Sequence, residues 1–343
     1  MEVGFLILTV AATQVAGVAY GQSWIAETSS STASLRGVSA VNARVVWASG
    51  TGGTYLVTVD GGEHWRTGKV PGAEKRDFRS VYALDERTAL VASIGEGAQS
   101  AIYKTTDAGQ HWRMAWTNPN AKGFFDALAF WDSRRGVVLS DPVEGTFRLF
   151  ATSDRGEAWR ALDGPEALPQ EGAFAASGTC LVARGKRELW FASGGALPAG
   201  ARIFHSSDGG AHWTATVTPV RSDGPAAGIF SVAFAGHLNA IAVGGDYSKP
   251  ADATGNIAIS SDGGRTWTAP RGKPPAGYRS AAAYLKDRSV WVATGTSGSD
   301  ISFDGGENWT LFDTGNYNAL AFVDSRAGWA VGPKGRIARF SWK

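Results

Sequence analysis

An eight-residue phrase, with Asp in third place and Trp in last, returns six times in this chain. No other feature constrains the fold as strongly. It reads TVDGGEHW at 58–65, TTDAGQHW at 105–112, TSDRGEAW at 152–159, SSDGGAHW at 206–213, SSDGGRTW at 260–267 and SFDGGENW at 302–309. From Asp to Asp the steps are 47, 47, 54, 54 and 42 residues. Periods of that size mark units that cannot bury their apolar faces alone and stack against neighbours instead.

The chemistry of the phrase is that of a turn. Asp60, Asp107, Asp154, Asp208, Asp262 and Asp304 can each accept hydrogen bonds from amides just ahead of them. The glycines that follow supply positive φ where a Cβ would clash. Ala108 and Arg155 replace the first glycine in two copies, whereas the second is Gly in all six. Trp65, Trp112, Trp159, Trp213, Trp267 and Trp309 are expected to fold back on the hairpin as apolar lids, each burying roughly 150–250 Å². At ~25 cal/mol per Å² that is a few kcal/mol per copy, as an upper bound. Six identical catalytic sites on one chain would make an odd enzyme, so the phrases read as folding devices.

Between them lie short runs rich in Val, Ala, Phe and Trp, broken by polar turns, as in RSVYALDERTALVAS (79–93) and NALAFVDSRAGWAVG (318–332). Such runs predict strands. Four strands per unit of 42–54 residues suit a propeller blade. A seventh unit starts at Asn318 and reaches a third strand, RIARFSW, without a phrase or a fourth strand. SWIAETS at 23–29 resembles the piece that follows each phrase, with Trp24 in the place of its Trp. The sequence therefore predicts an all-β, seven-bladed β-propeller whose last blade is completed by an N-terminal strand, removing two open sheet edges.

The 45 glycines and 43% hydrophobic residues of this 343-residue chain fit a turn-rich β protein with ample core. Because the repeat runs throughout, residues 22–343 are expected to form one domain, and a monomer. Residues 1–21 read as a signal peptide, with an apolar run at 5–20 and Ala19 and Gly21 before a cleavage at Gln22. The leader is atypical, since it carries Glu2 and no Lys or Arg. It predicts an exported protein, periplasmic or secreted, with no stable membrane span after cleavage. A net charge of +2 and the lack of aromatic-basic interleaving argue against a nucleic-acid partner. The single Cys180 excludes a disulfide framework and reads as a small core residue. No metal and no cofactor are expected: the five His (64, 111, 205, 212, 237) have no metal-ligand spacing, and there is no CxxC pair.

The octet S/T-x-D-G-G-x-x-W is similar to the Asp-box (BNR) repeat of sialidases, sortilin-type receptors and photosystem II stability/assembly factors. ALAFVDSRAGWAVGPKGRIA looks most like the assembly-factor group. EGAFAASGT (171–179), VGGDYSKP (243–250), YRSAAAY (278–284) and ATGTSGSDISFDGG (293–306) resemble its bacterial relatives, often described as oxidoreductases. The residues offer no support for a redox role, because no G-x-G-x-x-G lies between a strand and a helix.

In a propeller the inner strands begin at one face, beside the loops joining second and third strands, and the Asp boxes lie on the other. Aligned on their alternation, the inner strands place Arg36, Arg79, Asp126, Ser177, Phe230, Arg279 and Asn318 around the channel mouth. Ring closure would gather Arg279, Arg36 and Arg79 on one side with Asn318 among them, facing Asp126 and Phe230. Guanidiniums so gathered suit a carboxylate or phosphate; the structural alternative pairs each with an acid such as Glu96 or Asp300. The loops add Asp141, Asp246, Tyr247, Ser297 and Asp300, and Glu171 and Phe174 precede the fourth inner strand.

Two functions fit. The assembly-factor resemblance implies a non-catalytic binding scaffold, whose arginine-lined face docks a protein segment or an anionic group. The alternative is a sialidase-like glycoside hydrolase acting on a carboxylate-bearing sugar, with an arginine triad, Tyr247 as nucleophile, Glu171 as its partner and Asp141 or Asp246 as acid. Sialidases are six-bladed and carry an Arg-Ile-Pro-type motif, where this chain has LRGVSAV at 35–41. The scaffold is the favoured expectation.

Overall fold

The computed structural model describes residues 21–342. The leader read at residues 1–21 lies outside that range apart from Gly21. Seven antiparallel sheets form the propeller. The first blade shows the pattern: Leu35–Ala40, Val46–Gly50, Thr54–Thr58 and Arg66–Lys69 pair in chain order from the channel outward. The inner strands meet around the ring, with Leu35–Ala40 against Phe78–Ala83 on one side and Ala319–Asp324 on the other. In the fifth blade the outer strand shrinks to a single bridge, Ile259 to Thr268. Pro270, two residues on, has no N–H to extend the ladder. Among the described residues the helical content is one 3₁₀ turn, Gly97–Gln99.

The seventh blade closes as expected. Its three C-terminal strands accept Gln22–Glu27 antiparallel to Ile337–Trp342, with Trp24 opposite Phe340. By register Trp24 occupies the position of Trp65 in blade one, since Ala26 pairs Ala338 as Thr67 pairs Leu56.

Each box turn is bonded as its residues imply. In the first, the Thr58 hydroxyl donates to Asp60 Oδ1 (2.7 Å), which also accepts the His64 amide (3.0 Å), while the Gly62 amide donates to the Thr58 hydroxyl oxygen (3.0 Å). Such amide and hydroxyl donors hold the Asp107 and Asp262 carboxyls near pKa 2, led by the His111 amide in one and the Thr266 hydroxyl in the other. The amide after the Asp reaches the turn between the blade's first two strands, as from Gly61 to the Arg44 carbonyl (2.9 Å), which fixes the boxes on the face away from the mouth. The first glycine position tolerates a side chain at the expense of left-handed backbone, φ 63° at Ala108 and 68° at Arg155. The second does not. At Gly109 (φ 82°) a Cβ would stand 2.6 Å from the Tyr55 ring of the preceding blade.

That close approach explains a difference in the Trp lids. They cover the seam to the preceding blade as well as their own turn: Trp112 lies 5.0 Å from Tyr55 and 6.2 Å from Trp47, ring to ring, while Trp267 and Trp309 donate to the Gly264 and Gly306 carbonyls of their own boxes (3.0 and 2.9 Å). Seven apolar clusters result, one per seam, and Trp24 supplies the seam between blades six and seven. Cys180 is fully buried in one of them, where loss of hydration pushes its thiol pKa up and leaves it unreactive.

Candidate functional site

The mouth of the channel is shaped by a repeated irregularity. Four inner strands slip register at the mouth, between Leu35 and Gly37, Phe78 and Ser80, Phe125 and Ala127, and Ile229 and Ser231. The skipped residues are Arg36, Arg79, Asp126 and Phe230, and all four line one cavity of about 420 Å³. A bulge re-aims one side chain and conserves the apolar face on either side of it. Asn318 lines the same cavity, with its amide donating to the Leu35 carbonyl (2.8 Å) across the closing seam.

Arg279 is not there. The Arg279 amide donates to the Gly244 carbonyl of the preceding blade, as that of Leu35 does to Gly332, so Arg279 takes the seam position and Ser280 the channel position. The Arg279 side chain is fully buried against Asp300, its Nε donating to Oδ2 (2.6 Å) and its Nη1 to the Tyr278 carbonyl (2.7 Å) and Ser297 Oγ (2.9 Å). Alternation alone places Arg279 one residue off, because the ladder hydrogen bonds set the register of this strand. Ser177 is misplaced by two: Thr179 holds the blade-four strand position, its carbonyl accepting the Val232 amide.

Ser177 belongs instead to a segment that crosses the channel. The Ser177 hydroxyl donates to the Ser280 carbonyl of blade six (2.7 Å), and the Ala175 carbonyl accepts Arg79 Nη1 of blade two (2.8 Å). This segment separates the mouth cavity from a second cavity of about 370 Å³ on the box side. It also brings Phe174 onto Phe230, stacked at 4.0 Å, with Tyr278 edge-on at 4.8 Å and the exposed Tyr247 at 6.1 Å from Phe230. Phe124, Tyr278 and Thr296 complete the wall without having been singled out in the sequence; the Phe124-Phe125 doublet at an inner-strand start was the available signal.

The remaining loop residues are held elsewhere. Glu171 is closed off by Arg202, by the Ser193 hydroxyl (2.6 Å) and by the Leu168 amide (2.8 Å). Asp246 accepts the Ser248 amide (2.9 Å) and hydroxyl (2.6 Å). Ser297 donates to the Pro250 carbonyl (2.6 Å). Asp141 accepts the Ala173 amide (2.9 Å) beside a neighbouring hollow, and burial lifts its pKa to about 6.

Arg36, Arg79 and Asp126 face the cavity in unequal states. Arg79 is paired with Asp77 (2.9 Å). Arg36 has no ion-pair or hydrogen-bond partner for its guanidinium among the described residues, and its Nε is buried. Burial, then repulsion from Arg79, lowers its pKa, yet an arginine stays charged. Asp126 is 2% exposed, and neither carboxyl oxygen has a partner among the described residues. Burial, reinforced by the Asp141 carboxyl, raises its pKa well above the usual range, with Arg79 and then the Asp141 amide opposing.

A carboxyl raised on folding stabilises below its unfolded pKa of about 3.9 and loses that contribution as pH rises through its folded value. Asp126→Asn is therefore expected to raise the melting temperature at pH 8 and to leave it unchanged at pH 3.5. Equal effects at both pH values in a melting series would contradict the buried neutral carboxyl.

No protein-family model and no curated protein matches the chain. Among solved structures it is similar to YCF48 bound to D1 peptide, with a TM-score of 0.64 and 17% identity over 92% of this chain and 96% of that one. It is also similar to YCF48 from Cyanidioschyzon merolae, with a TM-score of 0.63 and 17% identity over 92% and 98%. At that identity the likeness is one of fold, and it is the fold that the assembly-factor resemblance implies.

Proposed function

We propose that the protein is an exported, non-catalytic binding module whose channel mouth docks a carboxylate-bearing protein segment. The observation that carries this reading is the Arg36 guanidinium, charged, without a partner among the described residues, in a cavity also lined by Phe174, Phe230 and Tyr278. A forked donor beside an aromatic wall suits a carboxylate attached to an apolar residue. The YCF48 structure that holds a D1 peptide lends support, as the same fold with a peptide bound.

The glycosidase reading loses its parts. Arg279 is committed to Asp300 and Glu171 to Arg202, so neither the arginine triad nor the partner of a Tyr247 nucleophile is assembled. Turnover of a fluorogenic sialoside is expected to stay at background.

The direct test is capture of random heptapeptides without Asp or Glu on immobilised protein, with free or amidated C-termini. The free-carboxylate pool should be enriched, and Arg36→Ala should weaken binding about 10- to 150-fold, the equivalent of roughly 1.5–3 kcal/mol for hydrogen bonds to a charged group. Equal capture of the two pools, or an unaffected Arg36→Ala, would remove the proposal.

A further inference from the structure

We infer that Asp126 is a second ligand-binding group of the mouth, a neutral carboxylic acid that donates a hydrogen bond to the carboxylate held by Arg36, so that the site captures an aromatic carboxylate with a proton and releases it when that proton is lost. The inference rests on the channel-mouth reading above and adds to it the ligand class and its pH control.

The argument starts from a vacancy in the bonding. A buried carboxylate normally collects several N–H or O–H donors, and without them the charged form is untenable. Asp126 has no hydrogen-bond partner within reach among the described residues; the neighbouring Asp141 amide, the weakest influence on its pKa, donates to the Phe124 carbonyl (2.9 Å). Glu171, a carboxylate of similar burial in the same blade array, has an arginine, a hydroxyl and an amide. The contrast shows that the fold can satisfy a buried acid and does not do so at the bulged, cavity-lining position.

Protonated, the carboxyl has an O–H in need of an acceptor. The charged and titratable groups around it are Asp141 from its own blade, Arg79 from blade two and the Cys180 thiol from blade four, with Arg36 beyond Arg79. Asp141 disfavours ionisation, the buried thiol is neutral, and an arriving anion disfavours ionisation further. An acceptor that also pairs with Arg36 is an anion, and a carboxylate offers one oxygen to the guanidinium and one to the O–H. The proton stays on Asp126 in the complex, and no bond other than the hydrogen bonds forms. Phe174, Phe230 and Tyr278 select an aromatic or apolar substituent on that carboxylate.

Phenylacetate is the probe, with phenylacetamide as its uncharged counterpart, titrated calorimetrically into the full chain between pH 6 and pH 9. Phenylacetate is expected to bind and to weaken toward tenfold per pH unit once the Asp126 proton is lost. Asp126→Asn, which keeps a donor, should bind at every pH as the wild type does at pH 6. Asp126→Leu, which keeps the shape without a donor, should bind at least tenfold more weakly throughout. Asp141→Asn should shift the midpoint of the wild-type profile while retaining the dependence. An Asp126→Leu protein binding as tightly as wild type at pH 6, or an Asp126→Asn protein weaker than wild type at pH 6, overturns the role of Asp126 while leaving the Arg36 site intact. No phenylacetate binding by any form, or binding indifferent to Arg36→Ala, overturns the mouth as the site itself.

Discussion

Removal of residues 22–30 is expected to abolish cooperative folding rather than to trim an edge. Six residues of that stretch pair with Ile337–Trp342, so their loss strips the outer partner from the last blade. Trp24 goes with them. Its ring lies within 6.2 Å of those of Phe312, Tyr317, Phe322 and Phe340, and its Nε1 donates to the Ser299 hydroxyl of blade six (2.9 Å). Truncating a buried Trp costs about 3–5 kcal/mol by itself, against a total stability of roughly 5–15 kcal/mol for a typical protein of this kind. The exposed strand edge should then pair between molecules. Thermal melting and size-exclusion chromatography read the result, and a synthetic peptide of residues 22–30 added in excess should restore part of the transition. A deletion protein that stays monomeric and melts with the intact one would show that the ring does not depend on this closure.

Arg279→Ala carries the second-largest expected effect, a loss of about 3–5 kcal/mol, because it leaves Asp300 buried without its counter-charge. Both residues are at most 1% exposed. The equivalent seam position is apolar in other blades, occupied by Leu35, Phe78, Phe125 and Ile229. The double change Arg279→Met with Asp300→Leu should therefore recover most of the lost stability, as replacement of a buried pair by apolar residues often does. Chemical denaturation of the two variants decides the matter. If Arg279→Ala instead melts normally and loses peptide capture, the arginine belongs to the mouth and its assignment to the seam fails.

The boxes show why so much of the architecture was readable. A Ser or Thr, an Asp and a left-handed Gly close a turn through bonds that span four residues, so the motif carries its structure with it wherever it stands. Six such turns at a near-constant period dictate repeated four-stranded units, and the leftover strand at each end of the repeat dictates that the two ends meet. Fold class, blade number and the pairing of SWIAE with RFSW all follow from local chemistry and counting.

The mouth obeys different physics. Which residue of an inner strand faces the channel depends on a one-residue bulge, and a shift of one turns a cavity-facing arginine into a buried ion pair, as it does between Arg36 and Arg279. The segment around Ala175 that reaches Arg79 across 96 residues of sequence leaves no periodic trace. The state of Asp126 is likewise invisible in the chain, because what defines it is the set of donors that the surrounding blades withhold. The sequence determined the ring through short-range turn bonding and repetition, whereas the site was decided by long-range packing, where burial and the company of other side chains set the charge and orientation of each group.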